Sequence, residues 1–164
     1  MIGFEAYFQK NYSFCIPDKD AIDMIKNHSN NILEIGAGTG LWAKILQSNN
    51  VDIIATDSLD TVYTNYYEKF WLPVEKLDCV GAVKKYRDVE ALMLVWPQPN
   101  NITSFVKAIK EFKGNKVIVV TEGKELYFPD PEQSWKMSWE LVESKPLSSF
   151  PSKKSHLFLL ERKI

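Results

Sequence analysis

Four short apolar runs, at residues 32–35, 51–55, 91–95 and 117–120, constrain this chain more than any other feature. Each is largely free of polar alternation, as a strand buried on both faces must be. Helical patterns lie between them. Leu41, Trp42, Ile45 and Leu46 make one apolar stripe over 40–48, and Ile102, Phe105, Val106 and Ile109 make another over 100–112. A helix opens near Asp18 or Asp20 with Ala21, Ile22 and Ile25 as its stripe, and a further helix is predicted over 80–86. Strand and helix in alternation predict an α/β fold, a parallel sheet covered by helices on both faces.

Other segments are less regular. A short third strand is expected within 72–79. A helix is expected over 130–137, with Pro131 suited to its first turn. Gly114 is read as the C-terminal cap of the 100–112 helix. Residues 139–144 and 156–161 read as two last strands with no helix between them, which predicts an antiparallel hairpin at one sheet edge. The segment up to Cys15 reads as aromatic and irregular, with Phe4, Tyr7, Phe8, Tyr12 and Phe14.

The 164 residues suit one domain, so 1–164 is read as a single unit whose first 30 residues hold the aromatic segment and first helix. Twenty Lys and Arg stand against 21 Asp and Glu, a net charge of -1. That balance gives no broad attraction to nucleic acid or to an anionic membrane. No apolar run reaches the roughly 18–20 residues of a bilayer span. The N-terminus also lacks the basic-then-apolar pattern of a secretory signal. Cys15 and Cys79 are too few and too far apart for a disulfide framework or a zinc site. A cytoplasmic protein with reduced thiols, no metal and no membrane partner is expected.

The stretch Glu34-Ile35-Gly36-Ala37-Gly38-Thr39-Gly40 follows a buried strand and precedes a helix. Bare backbone at Gly36 and Gly38 lets the chain turn tightly and approach a nucleotide-like ligand. No Gly-Lys-Ser/Thr follows, so it is not a P-loop. Asp57 stands 19 residues beyond Gly38, just past the second strand, where a carboxylate can accept both ribose hydroxyls of an adenosine. Asp78 ends the third candidate strand, within reach of an adenine amino group.

This motif resembles the first motif of class I S-adenosylmethionine-dependent methyltransferases, with Asp57 in the place of their ribose-binding acid and Asp78 in that of their adenine-proximal acid. The resemblance spans about residues 31–120 and extends to small methyltransferase-like proteins. It implies a Rossmann-like, doubly wound, mostly parallel seven-stranded sheet with an antiparallel terminal strand. It also implies S-adenosyl-L-methionine as cofactor, held by Glu34, Gly36, Ala37, Gly38, Asp57 and Asp78, with Glu34 ordering the methionine end. NAD is the competing cofactor, but Leu41 sits where its fingerprint has Gly or Ala.

Trp96-Pro97-Gln98-Pro99 stands where amino-group methyltransferases carry Asp/Asn-Pro-Pro-Tyr/Phe. An indole has no acceptor, so Trp96 is read as a stacking wall for a planar or cationic acceptor. Glu122, just past the fifth strand, is the candidate proton acceptor or amine binder. Tyr12, Phe14, Tyr127 and Trp135 could line or cover the site. Lys84, Lys85, Arg87, Lys153 and Lys154 read as solvated faces, and His28 and His156 as structural. The reading is a methyltransferase acting on a small or partner-presented acceptor, with nucleic acid disfavoured for the chain alone. The alternative is a non-catalytic cofactor-binding subunit or scaffold, in which Trp96 or Trp135 would block the path from cofactor to solvent.

Overall fold

The computed structural model describes residues 2–60, 67, 69–126 and 134–164. Among them seven strands form one sheet: β1 (Asn31–Ile35), β2 (Asp52–Asp57), β3 (Glu75–Lys76), β4 (Ala91–Val95), β5 (Lys116–Glu122), β6 (Trp139–Pro146) and β7 (Ser155–Arg162). Their order is β3-β2-β1-β4-β5-β7-β6. The first five run parallel; β7 lies antiparallel to both β5 and β6. This is the α/β, doubly wound, mostly parallel sheet expected from the sequence, with the terminal hairpin at one edge.

Among the described residues six α-helices accompany the sheet: α1 (Ile2–Asn11), α2 (Lys19–His28), α3 (Leu41–Ser48), α4 (Cys79–Lys85), α5 (Ile102–Glu111) and α6 (Trp135–Ser138). The pleat sends alternate strand residues to opposite layers. Leu33, Ile35, Leu92, Leu94, Val117 and Val119 pack with residues of α4, α5 and α6. Ile32, Ala91, Met93, Ile118 and Val120 pack with α2 and α3. Each fully buried aliphatic side chain contributes about 1.5–3 kcal/mol, which is why both-face burial selects uninterrupted apolar runs. Asp18 starts α2, its side chain accepting the Ala21 N–H at 2.8 Å.

Several elements differ from the sequence expectation. The aromatic N-terminal segment is a helix, because Phe4, Phe8 and Tyr12 recur every four residues and stack along one face; the Phe8 and Tyr12 rings lie 4.9 Å apart. β2 and β5 each run two residues beyond their apolar runs, so Asp57 and Glu122 are the last residues of strands rather than loop residues. β3 is two residues long, and Asp78 belongs to the next helix as its N-cap. Of the helix expected at 130–137, residues 130–133 lie outside the described residues, and α6 occupies Trp135–Ser138.

Gly114 does not cap α5, whose C-cap is Phe112 in extended conformation. It is required by close approach instead. A Cβ there would stand 2.4 Å from the Phe112 ring, 2.5 Å from the Glu90 carbonyl oxygen and 2.7 Å from that of Val89. Those contacts cannot yield without moving the start of β4. Gly114→Ala should therefore destabilise the fold by about 1–3 kcal/mol, as other overpacked substitutions do. The measurement is a lowered denaturant midpoint at unchanged slope; an unchanged midpoint would show that the backbone there gives way freely.

Candidate functional site

The strand order reverses between β1 and β4, and open α/β sheets bind ligands in the crevice at the carboxyl ends of strands beside such a reversal. A cleft enclosing about 900 Å³, partly continuous with solvent, occupies that place. Its walls bring together Glu34, Gly36, Ala37, Gly38, Asp57, Asp78 and Trp96. Glu122 is exposed at the end of β5 and is not among the lining residues. Trp135 packs in the core, away from the cleft, and Tyr127 lies outside the described residues.

The glycine loop crosses the end of β1 with positive φ at Gly36, Gly38 and Gly40, of 68°, 56° and 75°. Space is tight as well. A Cβ at Gly38 would meet the Tyr67 hydroxyl at 3.0 Å, and one at Gly40 would stand 2.3 Å from Leu72. Asp57 braces this loop from the neighbouring strand: one carboxylate oxygen accepts the Gly38 N–H at 2.9 Å, the other the Leu59 N–H at 2.8 Å. Each oxygen keeps a second lone pair for a ligand. Asp78 likewise does two things. It caps α4 by accepting the Gly81 N–H at 2.8 Å, and it lines the cleft.

The N-terminal segment closes one side. The Thr39 hydroxyl donates to the Tyr12 carbonyl, the Trp42 indole N–H donates to the Ser13 hydroxyl at 3.1 Å, and the Trp71 indole N–H donates to the Asn11 carbonyl at 2.9 Å. Tyr12 stacks between Phe8 and Trp71. Tyr12, Ser13 and Phe14 therefore line the cleft as a fixed wall. The four-residue aromatic spacing was the available signal for that wall; Ser13 had none.

Glu34 is the most unusual group. The β1 pleat points it into the same layer as Ile32, in register with Ala55 and Met93, and it is 1 % exposed. The Ala43 N–H, in the first turn of α3, bonds its carboxyl group. That turn has no side-chain cap of its own, since its N-cap is Gly40. The buried Oε2 atom has no hydrogen-bond partner among the described residues, and Glu34 is one of the residues around the cleft. Burial, and then the nearby Asp57 charge, push its pKa up to about 8, against the smaller opposing effect of the Ala43 N–H. Cys79, also in the wall, is pushed up to about 12 by burial and by Asp57 and Asp78, so it stays a thiol.

At the other end of the cleft Trp96 follows β4 with φ of 53°, a conformation costly for a bulky residue. Its N–H donates to the Val120 carbonyl at 2.6 Å. The lining residues around it are neutral: Val95, Gln98, Asn101, Ser104 and Phe105. Lys153, expected on a solvated face, is half-buried with its ammonium 5.4 Å from the centroid of the Trp96 ring.

No family model matches the chain, and no curated protein matches it. Solved structures do. A candidate tRNA (m1A22) methyltransferase of Streptococcus pneumoniae aligns with a TM-score of 0.59 at 12% identity, over 90% of this chain and 71% of that one. Magnesium protoporphyrin IX methyltransferase of Synechocystis PCC 6803, solved with bound S-adenosylmethionine, aligns with a TM-score of 0.60 at 8% identity, over 98% of this chain and 91% of that one. The methyltransferase domain of a bacterial Hen1 aligns with a TM-score of 0.57 at 11% identity, over 87% and 94%. The chain has the class I methyltransferase-like fold.

The buried Glu34 ties stability to pH. Its folded-state pKa, about 8, lies above the ordinary 4.5, so between those values the folded chain holds a proton that the unfolded chain has lost. Stability should fall as pH rises through this window, by up to about 1.4 kcal/mol per pH unit, and level off above it. Glu34→Gln should remove that component. Denaturation midpoints of both proteins across the window test it; parallel profiles would contradict the assignment.

Proposed function

We propose that this chain is an S-adenosyl-L-methionine-dependent methyltransferase acting on a small acceptor. One observation carries the reading: a buried carboxyl with an unpartnered oxygen belongs to a residue of the cleft wall, beside a bare glycine loop. Such an atom calls for a donor or cation from a ligand. The residues fit the cofactor along its length. Glu34 faces an ammonium, Asp57 keeps free lone pairs for ribose hydroxyls, and Asp78 stands beside the adenine position. The glycines leave room for the chain between them. Leu41, in the place of the third glycine of a dinucleotide fingerprint, lines the same cleft and argues against NAD.

Held by Glu34, Asp57, Asp78 and the glycine loop, the cofactor would supply a methyl group activated by its sulfonium charge. The chain's part is alignment and exclusion of water. Trp96 offers a flat wall at the acceptor end. Glu122 lies outside the lining, so the described residues there offer no carboxylate base, and the acceptor's proton passes to solvent. The position of Trp135 in the core and of Trp96 in the wall supports an open path rather than a blocked scaffold.

Fold does not choose the acceptor. Near-neutral charge argues against bare nucleic acid, while the Streptococcus protein is described as acting on tRNA, which leans the other way. Transfer of labelled methyl to small planar acceptors, to DNA and to unmodified tRNA separates these, and efficient use of bare DNA by the purified chain would overturn the small-acceptor reading.

Calorimetry with S-adenosylmethionine, S-adenosylhomocysteine and NAD tests the cofactor. Asp57→Ala should weaken binding of the first two by about 1.5–3 kcal/mol, the strength of a charge-assisted hydrogen bond. Gly38→Leu should abolish binding by filling the loop. Unchanged affinity in both variants would refute the reading. Affinity should also rise by up to about tenfold per pH unit between pH 6 and 7.5, below the titration near 8 of the ligand's own α-amino group, as Glu34 gives up its proton. Glu34→Gln should flatten that rise.

A further inference from the structure

We infer that Gln98 and Asn101 are specificity-determining residues of the acceptor subsite, and that the acceptor is an uncharged planar heterocycle with a hydrogen-bond donor and an acceptor side by side on one edge. The inference deepens the proposed methyl-transfer reading and rests on it. It narrows the planar or cationic acceptor expected from the sequence to a neutral one.

Both residues line the cleft together with Trp96. The chain between β4 and α5 puts them on one side. After Trp96 it enters a short 3-10 turn, Pro99–Asn101, closed by the Asn101 N–H donating to the Gln98 carbonyl at 3.0 Å. Side chains three residues apart in such a turn lie one above the other. One turn further, on the same side, stand Ser104 and Phe105, which also line the cleft. Phe105 marks where this row ends, since a Cβ on Gly36 would stand 3.0 Å from its ring. The row thus leads from the glycine loop towards Trp96, with Gln98 two residues from the indole. The sheet order keeps it apart from two of the cleft's carboxylates. Asp57 ends β2 and Asp78 follows β3, both across β1 from β4.

The fold does not use these amides. Asparagine is among the best helix N-caps because its side chain accepts an N–H of the first turn. Asn101 is the N-cap of α5 and makes no such bond. Among the described residues neither its side chain nor that of Gln98 has a hydrogen-bond partner, and both are half-buried. Each amide carries donors and acceptors. Two of them beside a flat indole match a flat ring whose edge has N–H next to C=O, as in a lactam. A ring lacking one of those groups leaves an amide unpaired, and sites built to hydrogen-bond reject such analogues. The lining side chains around Trp96 are uncharged, so a carboxylate or ammonium on the ring would give up water without meeting an opposite charge. Glu122 and Lys153, whose opposite charges both act on Cys15, lie outside that lining.

The test uses the full chain saturated with S-adenosylhomocysteine, and the same chain without it, titrated with bicyclic probes of similar shape and followed by NMR shifts. The probes are 2-quinolinone, whose ring edge carries N–H beside C=O, its N-methyl derivative, 2-naphthoate and 2-naphthylmethylammonium. The lactam should bind about fivefold or more tighter than each of the other three. Gln98→Met combined with Asn101→Ala should erase that preference while changing S-adenosylhomocysteine affinity by less than about twofold. Gln98→Glu should turn the order towards the ammonium-bearing ring, a reversal that mere loosening of the turn would not produce. Lys153→Gln, outside the lining, should leave the order unchanged. A smaller preference for the lactam, one that survives the double variant, an order altered by Lys153→Gln, or no lactam binding up to about 10 mM overturns the inference. Loss of S-adenosylhomocysteine affinity in the double variant with lactam binding intact would assign the amides to the cofactor and overturn it as well. Failure of S-adenosylhomocysteine to bind the unaltered chain would instead overturn the methyl-transfer reading, while the probe titrations of the free chain still decide the role of the two amides. Circular dichroism of each variant confirms the fold.

Discussion

The site depends on one bridge, from the Asp57 carboxylate to the Gly38 backbone. The glycine loop has positive φ at three glycines, which carry no side chain with which to hold the backbone. Left alone, such a segment would sample many shapes, since glycine loses more conformational freedom on ordering than any other residue. Asp57 removes that freedom from the adjacent strand. Because β2 runs parallel to β1 in direct register, its last residue arrives beside the loop that leaves β1. The Ala37 N–H adds a second tie, to the Thr56 carbonyl at 3.0 Å. Binding geometry at the loop is thus a consequence of strand register, and a slip of one residue would turn Asp57 to the other face.

The N-terminal helix completes the enclosure from the other side. Its aromatic stripe would be exposed if the helix stood alone. It is held instead by the loop and by Trp71: Thr39 bonds the Tyr12 carbonyl, and the Trp71 N–H bonds the Thr39 carbonyl at 2.8 Å while its indole reaches Asn11. Order in α1 and order in the glycine loop are therefore coupled through Thr39, which is buried. A ligand that fixes the loop also fixes the wall formed by Tyr12, Ser13 and Phe14.

What could be read from the sequence was what repeats or what only one residue type can do. The parallel strands were legible because both-face burial leaves unbroken apolar runs. The glycine loop was legible because bare backbone in a strand-to-helix turn has few other uses. Helix α1 was not, because its i, i+4 aromatic spacing sits in a segment without the polar face that marks an amphipathic helix. Gly114 looked like a cap and is a contact. Asp78 looked like the end of a strand and is a helix cap, since β3 spans only two residues. The position of Glu122 outside the lining and of Lys153 beside Trp96 depends on how the terminal hairpin lies against the N-terminal elements, and pairs so distant in sequence carry no local pattern.

Trp96 shows most directly how the acceptor end departs from a generic strand terminus. A left-handed backbone for a bulky side chain costs on the order of 1–3 kcal/mol and persists only where its surroundings over-determine it. Here the short bond from its N–H to Val120 prolongs the β4–β5 pairing by one residue and holds the turn. Glycine would relieve the strain but remove the ring, and with it both the wall of the cleft and the surface over which Lys153 lies. A polar side chain at the same φ would keep the turn and lose the apolar face. The strained backbone is thus part of how the site is built: it fixes where the indole stands in the cleft wall.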